Sequence, residues 1–170
     1  MKKAILVIDM QNDFIDGSLG TKEATAIVNP LAEFLSSEKK AGADIIFTKD
    51  THTTDYLNTA EGKKLPVEHC IKPQKGWEIC PALQPFTADA QVFEKPTFGC
   101  TELPPALAKY DELIFCGLCT DICVISNVLL AKAHYPEKKI AVKAALCAGV
   151  TPESHENALS AMKMCQIDII

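Results

Sequence analysis

The sequence predicts an α/β fold: a doubly wound, three-layer α/β/α architecture around a mainly parallel six-stranded sheet. Three observations lead there. Short apolar runs such as Ala4–Ile8 and Leu113–Cys116 are continuous rather than alternating, which marks strands buried on both faces. Stretches with helical punctuation alternate with them, so each strand can reach a parallel neighbour by a helical crossover. Polar or reactive residues follow several strands, and in an open parallel sheet those ends share one edge.

Ala4–Ile8 is the central strand and ends in Asp9, followed by Met10-Gln-Asn-Asp-Phe14. Asn12 and Asp13 suit a turn or helix cap, which leaves Asp9 without a local role. A helix follows over about 24–40; Asn29-Pro30 is an alternative start, because proline suits the first helical turn, and Gly42 ends it. Residues 44–48 form the second strand, whose end carries Lys49-Asp50-Thr51-His52. From there to Pro85 no period emerges, and a loop of this length in a compact domain is usually functional or disordered. Two of the four histidines fall in it, which favours function. Residues 91–95 make the third strand, 102–109 a short helix and 113–116 the fourth strand. A helix opens near Asp121, with Val124, Val128, Leu129 and Ala131 on its apolar side, and ends around His134-Tyr-Pro136. Residues 139–143 make a fifth strand, Thr151 and Pro152 open a capped helix to Met164, and 166–170 close with a sixth strand.

One domain over residues 1–170 is the economical reading of this length, and 48% hydrophobic residues supply a sizeable core. A net charge of −5 without a basic cluster argues against nucleic acid or an anionic membrane as partner. Only five apolar residues separate Met1-Lys-Lys from Asp9, too few for a signal-peptide core or a membrane span, so a cytoplasmic protein is expected. The eight cysteines are scattered through strand and helix patterns, as reduced buried thiols would be. Cys116, Cys147 and Cys165 read as core, and Cys116-x-x-Cys119 lacks the second pair of a zinc ribbon. His155 reads as a packed or surface residue, His134 as a cation suited to a helix end, and Trp77 as a side chain that packs the long loop down or lies at a subunit contact.

The strand ends carry a coherent hydrolytic set. Cys123, in the first turn of a helix after a strand, is placed for a lowered thiol pKa and nucleophilic attack. A thiol attacking an amide needs a base and the departing amine needs a proton; one carboxylate, Asp9, can do both in turn. Lys95 can hold that carboxylate ionised, and backbone amides between Leu118 and Cys123 can receive the negative oxygen of a tetrahedral intermediate. Each residue alone is more often structural; their convergence on one sheet edge gives the set its weight. Asp50 and His52, two apart in extended chain, share a face, and His69 follows at the end of the loop. Two imidazoles and a carboxylate suit a catalytic divalent metal such as zinc, or iron or manganese, although Asp-x-His is also a common accidental spacing.

Val7-Ile-Asp-Met-Gln-Asn-Asp-Phe14, Thr48-Lys-Asp-Thr-His52, Leu65-Pro-Val-Glu-His-Cys70, Glu94-Lys95 and Cys116-Gly-Leu-Cys-Thr-Asp-Ile-Cys-Val124 resemble, in order and over nearly the whole chain, the isochorismatase-like cysteine hydrolases. The Asp50, His52, His69 set looks like the nicotinamidase branch of that superfamily. The resemblance implies Cys123 as nucleophile, Asp9 as base then acid, and Lys95 as its partner. It also implies a cis peptide between Leu118 and Cys119 and an oxyanion hole from the amides of Cys119 and Cys123. Further implications are Phe14, Leu65 and Leu118 in the substrate pocket, a small-molecule amide substrate, a role in NAD salvage and a homo-oligomer. Two departures stand out. Asn58 occupies the place of a further histidine, so that Glu61 is the candidate to complete the metal site, and Leu65 stands where an aromatic residue is usual, with Tyr56 and Phe98 as possible substitutes. Cys70 beside His69 reads as structural rather than as a ligand. The competing readings are an isochorismatase-type or other small-amide hydrolase, a non-catalytic binding member, and a thiol redox protein.

Overall fold

A computed structural model describes residues 1–170. Its elements, in chain order, are β1 (Lys3–Ile8), the single turn α1 (Asn12–Ile15), α2 (Lys22–Lys40), β2 (Asp44–Asp50), β3 (Gln91–Lys95) and α3 (Leu103–Ala106). Then come β4 (Glu112–Leu118), α4 (Ile125–His134), β5 (Lys139–Ala148), α5 (Pro152–Met164) and β6 (Asp168–Ile169). The six strands form one parallel sheet in the order β3-β2-β1-β4-β5-β6. Right-handed crossovers put α2 on one face and α3, α4 and α5 on the other, with α4 touching both α3 and α5. The strand order reverses at β1, between β2 and β4, which opens a crevice at the carboxyl ends of β1 and β4.

Burial on both faces explains the continuous apolar runs. Ala4 to Ile8 are wholly enclosed, as are Phe47 of β2, and Leu113 and Phe115 of β4. The helix α2 buries Ala24, Ile27, Leu31 and Leu35, the helical spacing of one apolar face. It starts at Thr21, whose hydroxyl accepts the Ala24 amide at 3.0 Å, and runs through Pro30, so Asn29-Pro30 is not its start. Proline inside a helix costs about 3 kcal/mol; the buried apolar face on both sides of Pro30 offsets that cost. The strand β5 runs five residues beyond the expected Lys143, because a register irregularity between Phe115 and Gly117 of β4 lets it continue to Ala148. Cys165 lies exposed just after α5 rather than in the core, while all eight cysteines are free.

The long connection from β2 to β3 contains only single 3-10 turns, and it is held by side chains rather than by regular structure. Asn12 Nδ2 donates to the Lys75 carbonyl at 2.8 Å, Asp13 Oδ2 accepts the Cys70 amide at 2.8 Å, and Ser18 Oγ donates to the Glu68 carbonyl at 3.0 Å. Asn12 and Asp13 therefore anchor this loop instead of capping a turn. Trp77 does pack the loop down: its indole N–H donates to Thr51 Oγ1 at 2.9 Å, and the Lys49 ammonium lies over its ring. No helix is long and apolar enough to cross a membrane.

Candidate active site

Three strand ends and one turn build the site. Asp9 follows β1 with φ +47°, in the left-handed region that aspartate tolerates better than most side chains. Its Oδ1 accepts the Thr48 hydroxyl at 2.6 Å. Lys95, the last residue of β3, sets its ammonium 2.6 Å from Asp9 Oδ2 and 3.4 Å from Asp50 Oδ1. The same ammonium donates to the Thr97 carbonyl at 3.0 Å and to Cys123 Sγ at 3.4 Å. The side chains of Asp9 and Lys95 are both fully buried. Asp9 Oδ2 faces the Lys95 ammonium at 2.6 Å, while Oδ1 is taken by the Thr48 hydroxyl.

Burial raises the Asp9 carboxyl above the ordinary carboxylate value, with Lys95 pulling it down. For Lys95 burial acts to lower the pKa, but the charges of Asp9, Cys123 and Asp50 overcome it and hold the lysine well above its usual value. The Cys123 thiol is pushed well above its ordinary value, first by burial and then by the Asp9 charge, while Lys95 opposes both. This corrects the expectation of a thiol acidified by a helix terminus. Cys123 is the fourth residue of a π-helical turn, Thr120–Val124, that leads into α4, and it is almost wholly enclosed. There burial and the neighbouring Asp9 charge outweigh the pull of the Lys95 ammonium.

The turn before Cys123 leaves backbone donors free. Gly117 has φ +112°, and a Cβ there would run into the backbone of Ile8, so only glycine lets β4 end this close to β1. The peptide between Leu118 and Cys119 is cis, as the resemblance implies. The Cys119 amide donates to no group in the chain. The Cys119 carbonyl accepts from Ile122 at 3.1 Å and from Val124 at 3.0 Å, passing over the intervening Cys123 amide. Such π-type turns recur at functional sites for this reason: they interrupt the regular donor ladder.

Beyond Lys95, Asp50, His52, Glu61 and His69 bring one ligand atom each within 4.8 Å of one another. His52 Nε2 and His69 Nε2 lie 3.0 and 3.4 Å from Asp50 Oδ2, and both lie 3.7 Å from Glu61 Oε1. Four N/O donors at about 2.0–2.2 Å from a tetrahedral ion stand about 3.3–3.6 Å apart, so the donor set fits such an ion. His69 Nδ1 is 2.8 Å from the Val67 carbonyl, which orients the ring and leaves Nε2 for the cluster. Burial would raise the Asp50 carboxyl, but hydrogen bonds from His52 and His69 and the charge of Lys95 hold it well below the usual range. Glu61 thus joins the cluster, whereas Asn58 is exposed and donates to Asp55 Oδ1. Cys70 stays outside: burial raises its thiol, and it is held through its backbone, its amide donating to Asp13 Oδ2 and its carbonyl accepting the His52 amide at 3.0 Å.

A cavity of about 240 Å³ joins these groups. Leu118, Cys119, Ile122 and Cys123 line one side, Asp50, Glu61 and His69 another, and Phe14, Leu19, Leu65, Phe98 and Val150 close the remainder. Phe14 also stacks obliquely on His69, 5.5 Å between ring centres. A second hollow of about 230 Å³ lies at the opposite end of β2, but its Lys39–Asp89 and Tyr110–Asp44 groups are paired with each other and it holds no nucleophile. Every site residue expected from the sequence therefore lies at this one edge. Two others, Thr48 and Gln11, were not foreseen, and Tyr56 was expected in a different role. Thr48 could have been found as a hydroxyl inside an apolar strand. Gln11 brackets the Asp50 backbone, donating to its carbonyl at 2.8 Å and accepting its amide at 2.7 Å. Tyr56 is fully buried beneath the two histidines and donates to the Leu65 carbonyl, so it braces the cluster instead of walling the pocket. The signal of Gln11 and Tyr56 is tertiary, and no local pattern marks them.

A buried cysteine, carboxylate and lysine at the switch point of a parallel α/β sheet are the groups a hydrolase needs. The isochorismatase domain family matches residues 3–170, and the chain belongs to that family. It is 31% identical to PncA of Bacillus subtilis, an isochorismatase family protein, over 94% of this chain and 93% of that one. The pyrazinamidase/nicotinamidase of Streptococcus mutans superposes with a TM-score of 0.88 at 27% identity, covering 99% of this chain and 100% of that one. The pyrazinamidase of Pyrococcus horikoshii, solved in complex with zinc, gives 0.85 at 27% identity, covering 100% and 99%.

Proposed function

We propose that the protein is a metal-assisted nicotinamidase, which hydrolyses nicotinamide to nicotinate and ammonia and so serves NAD salvage. One observation carries the reading: a single, mostly apolar cavity is lined both by Cys123 and by Asp50, Glu61 and His69 of the donor cluster, so that one small flat ligand can meet the thiol with a carboxamide and the cluster with a ring nitrogen. The likeness to nicotinamidases and pyrazinamidases supports the same substrate class. Asp50, His52, His69 and Glu61 would hold the ion, zinc or else iron or manganese; when bound, it supplies a Lewis-acid anchor for the ring nitrogen.

The chain's own groups carry the chemistry. Asp9 Oδ2 takes the Cys123 proton as Sγ attacks the amide carbon, and the carbonyl π pair moves to oxygen. The amides of Cys119 and Cys123 receive that negative oxygen. Asp9 then passes its proton to the amide nitrogen, the C–N bond breaks, and ammonia leaves a thioester on Cys123. Asp9 next takes a proton from water as the water attacks the thioester; the carbonyl re-forms, the C–S bond breaks, Asp9 returns that proton to Cys123 Sγ, and the acid loses its remaining proton to solvent as nicotinate. Lys95 keeps Asp9 ionised until each proton arrives. Phe14 and Leu118 pack the ring, while Leu65 offers it an aliphatic wall.

Ammonia release from nicotinamide by metal-replete protein is the test, and its absence overturns the assignment. The aliphatic Leu65 wall favours, as second reading, another small amide; a panel of primary amides ranked by kcat/KM separates the two.

A further inference from the structure

Two side chains of the Thr120–Val124 turn reach away from the site to the corner between β5 and α5. The Thr120 hydroxyl is fully buried, and its one hydrogen bond is shared with His155 Nδ1 at 2.7 Å, across 35 residues of sequence. The Asp121 carboxylate accepts the Val150 amide at 3.2 and 3.3 Å. That corner is itself fixed: Thr151 and Ser154 form a reciprocal capping box, and the His155 amide donates to the Thr151 carbonyl at 3.0 Å. Gly149 lies so close to the His155 backbone that a Cβ would press against it. The turn after the free Cys119 amide is therefore tied to a rigid helix start by a pair formed between a buried hydroxyl and a half-buried imidazole, and neither member touches the cavity.

We infer that His155 is a positioning residue for the backbone donors of the Cys119–Cys123 turn, acting through the Thr120 hydroxyl. The turn is of the π type, closed by the Val124 amide on the Cys119 carbonyl at 3.0 Å, and is not a turn of α4 itself. The link to His155 ties it to α5, beside the Asp121–Val150 bonds to the corner before that helix. It rests on the hydrolytic reading above only in that the turn's amides meet a negative oxygen.

The test compares His155→Phe, His155→Asn and Thr120→Val with wild type in three assays. The first is nicotinamide turnover. The second is inhibition by pyridine-3-carboxaldehyde, in which a C–S bond forms to Cys123, the carbonyl π bond opens and the thiol proton ends on the new oxygen at the turn. The third is alkylation of Cys123 by iodoacetamide, which leaves no negative oxygen there. Misplacing preorganised donors by a fraction of an ångström is expected to cost about 10–100-fold. His155→Phe and Thr120→Val should thus each lower kcat and weaken the aldehyde by that factor, with KM and the alkylation rate close to wild type. His155→Asn, which can keep a polar atom at the Nδ1 position, should recover most of the loss, and the double variant should be no worse than either single one. Unchanged kcat, a parallel fall in alkylation, or additive losses in the double variant would overturn the inference. A wild type that cleaves no amide refutes the proposed function, while the aldehyde and iodoacetamide assays still decide the role of His155. A wild type that forms no aldehyde adduct overturns that role as well.

Discussion

Replacing Asp9 by asparagine keeps the shape of the side chain and removes its charge, and the structure makes two opposite demands of that variant. Amide hydrolysis should collapse by about 10³-fold or more, because the carboxylate that takes the thiol proton becomes a carboxamide. Alkylation of the thiol should accelerate. Asp9 Oδ2 and Cys123 Sγ stand on the same ammonium at 2.6 and 3.4 Å. The carboxylate and a thiolate are thus at most about 6 Å apart, a repulsion of about 3 kcal/mol at an effective dielectric of about 20, or about two pKa units. Removing the Asp9 charge leaves Lys95 to stabilise the thiolate, with Asp50 at 3.4 Å as its remaining carboxylate. The alkylation-against-pH curve should shift to lower pH, with a rate gain of about 10–100-fold at neutrality. Iodoacetamide labelling followed by intact mass measures the second effect, and ammonia release the first. Slower or unchanged labelling would refute the shared-ammonium picture; turnover within tenfold of wild type would refute Asp9 as the base.

The remaining predictions use other groups. Because burial raises the Asp9 pKa, the acid limb of kcat/KM should lie above the ordinary carboxylate value of 3.8, activity falling as pH drops through it; Thr48→Val, which removes a hydrogen bond that lowers this pKa, should move the limb further up. A pH profile in which Thr48→Val shifts the limb downward contradicts this sign. Dialysis against a chelator should abolish activity and lower the melting temperature, with recovery on adding zinc, iron or manganese; Glu61→Gln should weaken metal retention measured by elemental analysis, and Asn58→Ala should not. Phe115→Ala, in the middle of the sheet, should cost about 3–5 kcal/mol in urea unfolding.

Much of this was legible in the chain. Continuous apolar runs report strands enclosed on both faces, and the residue after such a run must lie at the sheet edge, so Asp9, Lys95 and Cys123 could be assigned to one place from local pattern alone. Asp50, His52 and His69 followed from an extended spacing and a histidine-bearing loop, and the motif resemblance named the family. The residues left ambiguous share a physical property: their partners are far away in sequence. Glu61 and Asn58 sit three residues apart in a loop with no period, and only the folding of that loop onto Asn12, Asp13 and Ser18 turns one into the cluster and the other to solvent. The thiol's pKa was misjudged because a helix terminus is visible locally, whereas desolvation is the sum of everything that closes over Cys123. Local chemistry by itself determined where the candidate nucleophile stands and which reaction class it suits; tertiary packing alone decided how deeply it is enclosed, which charges surround it, and which distant side chains, Thr48 and His155 among them, touch its neighbours.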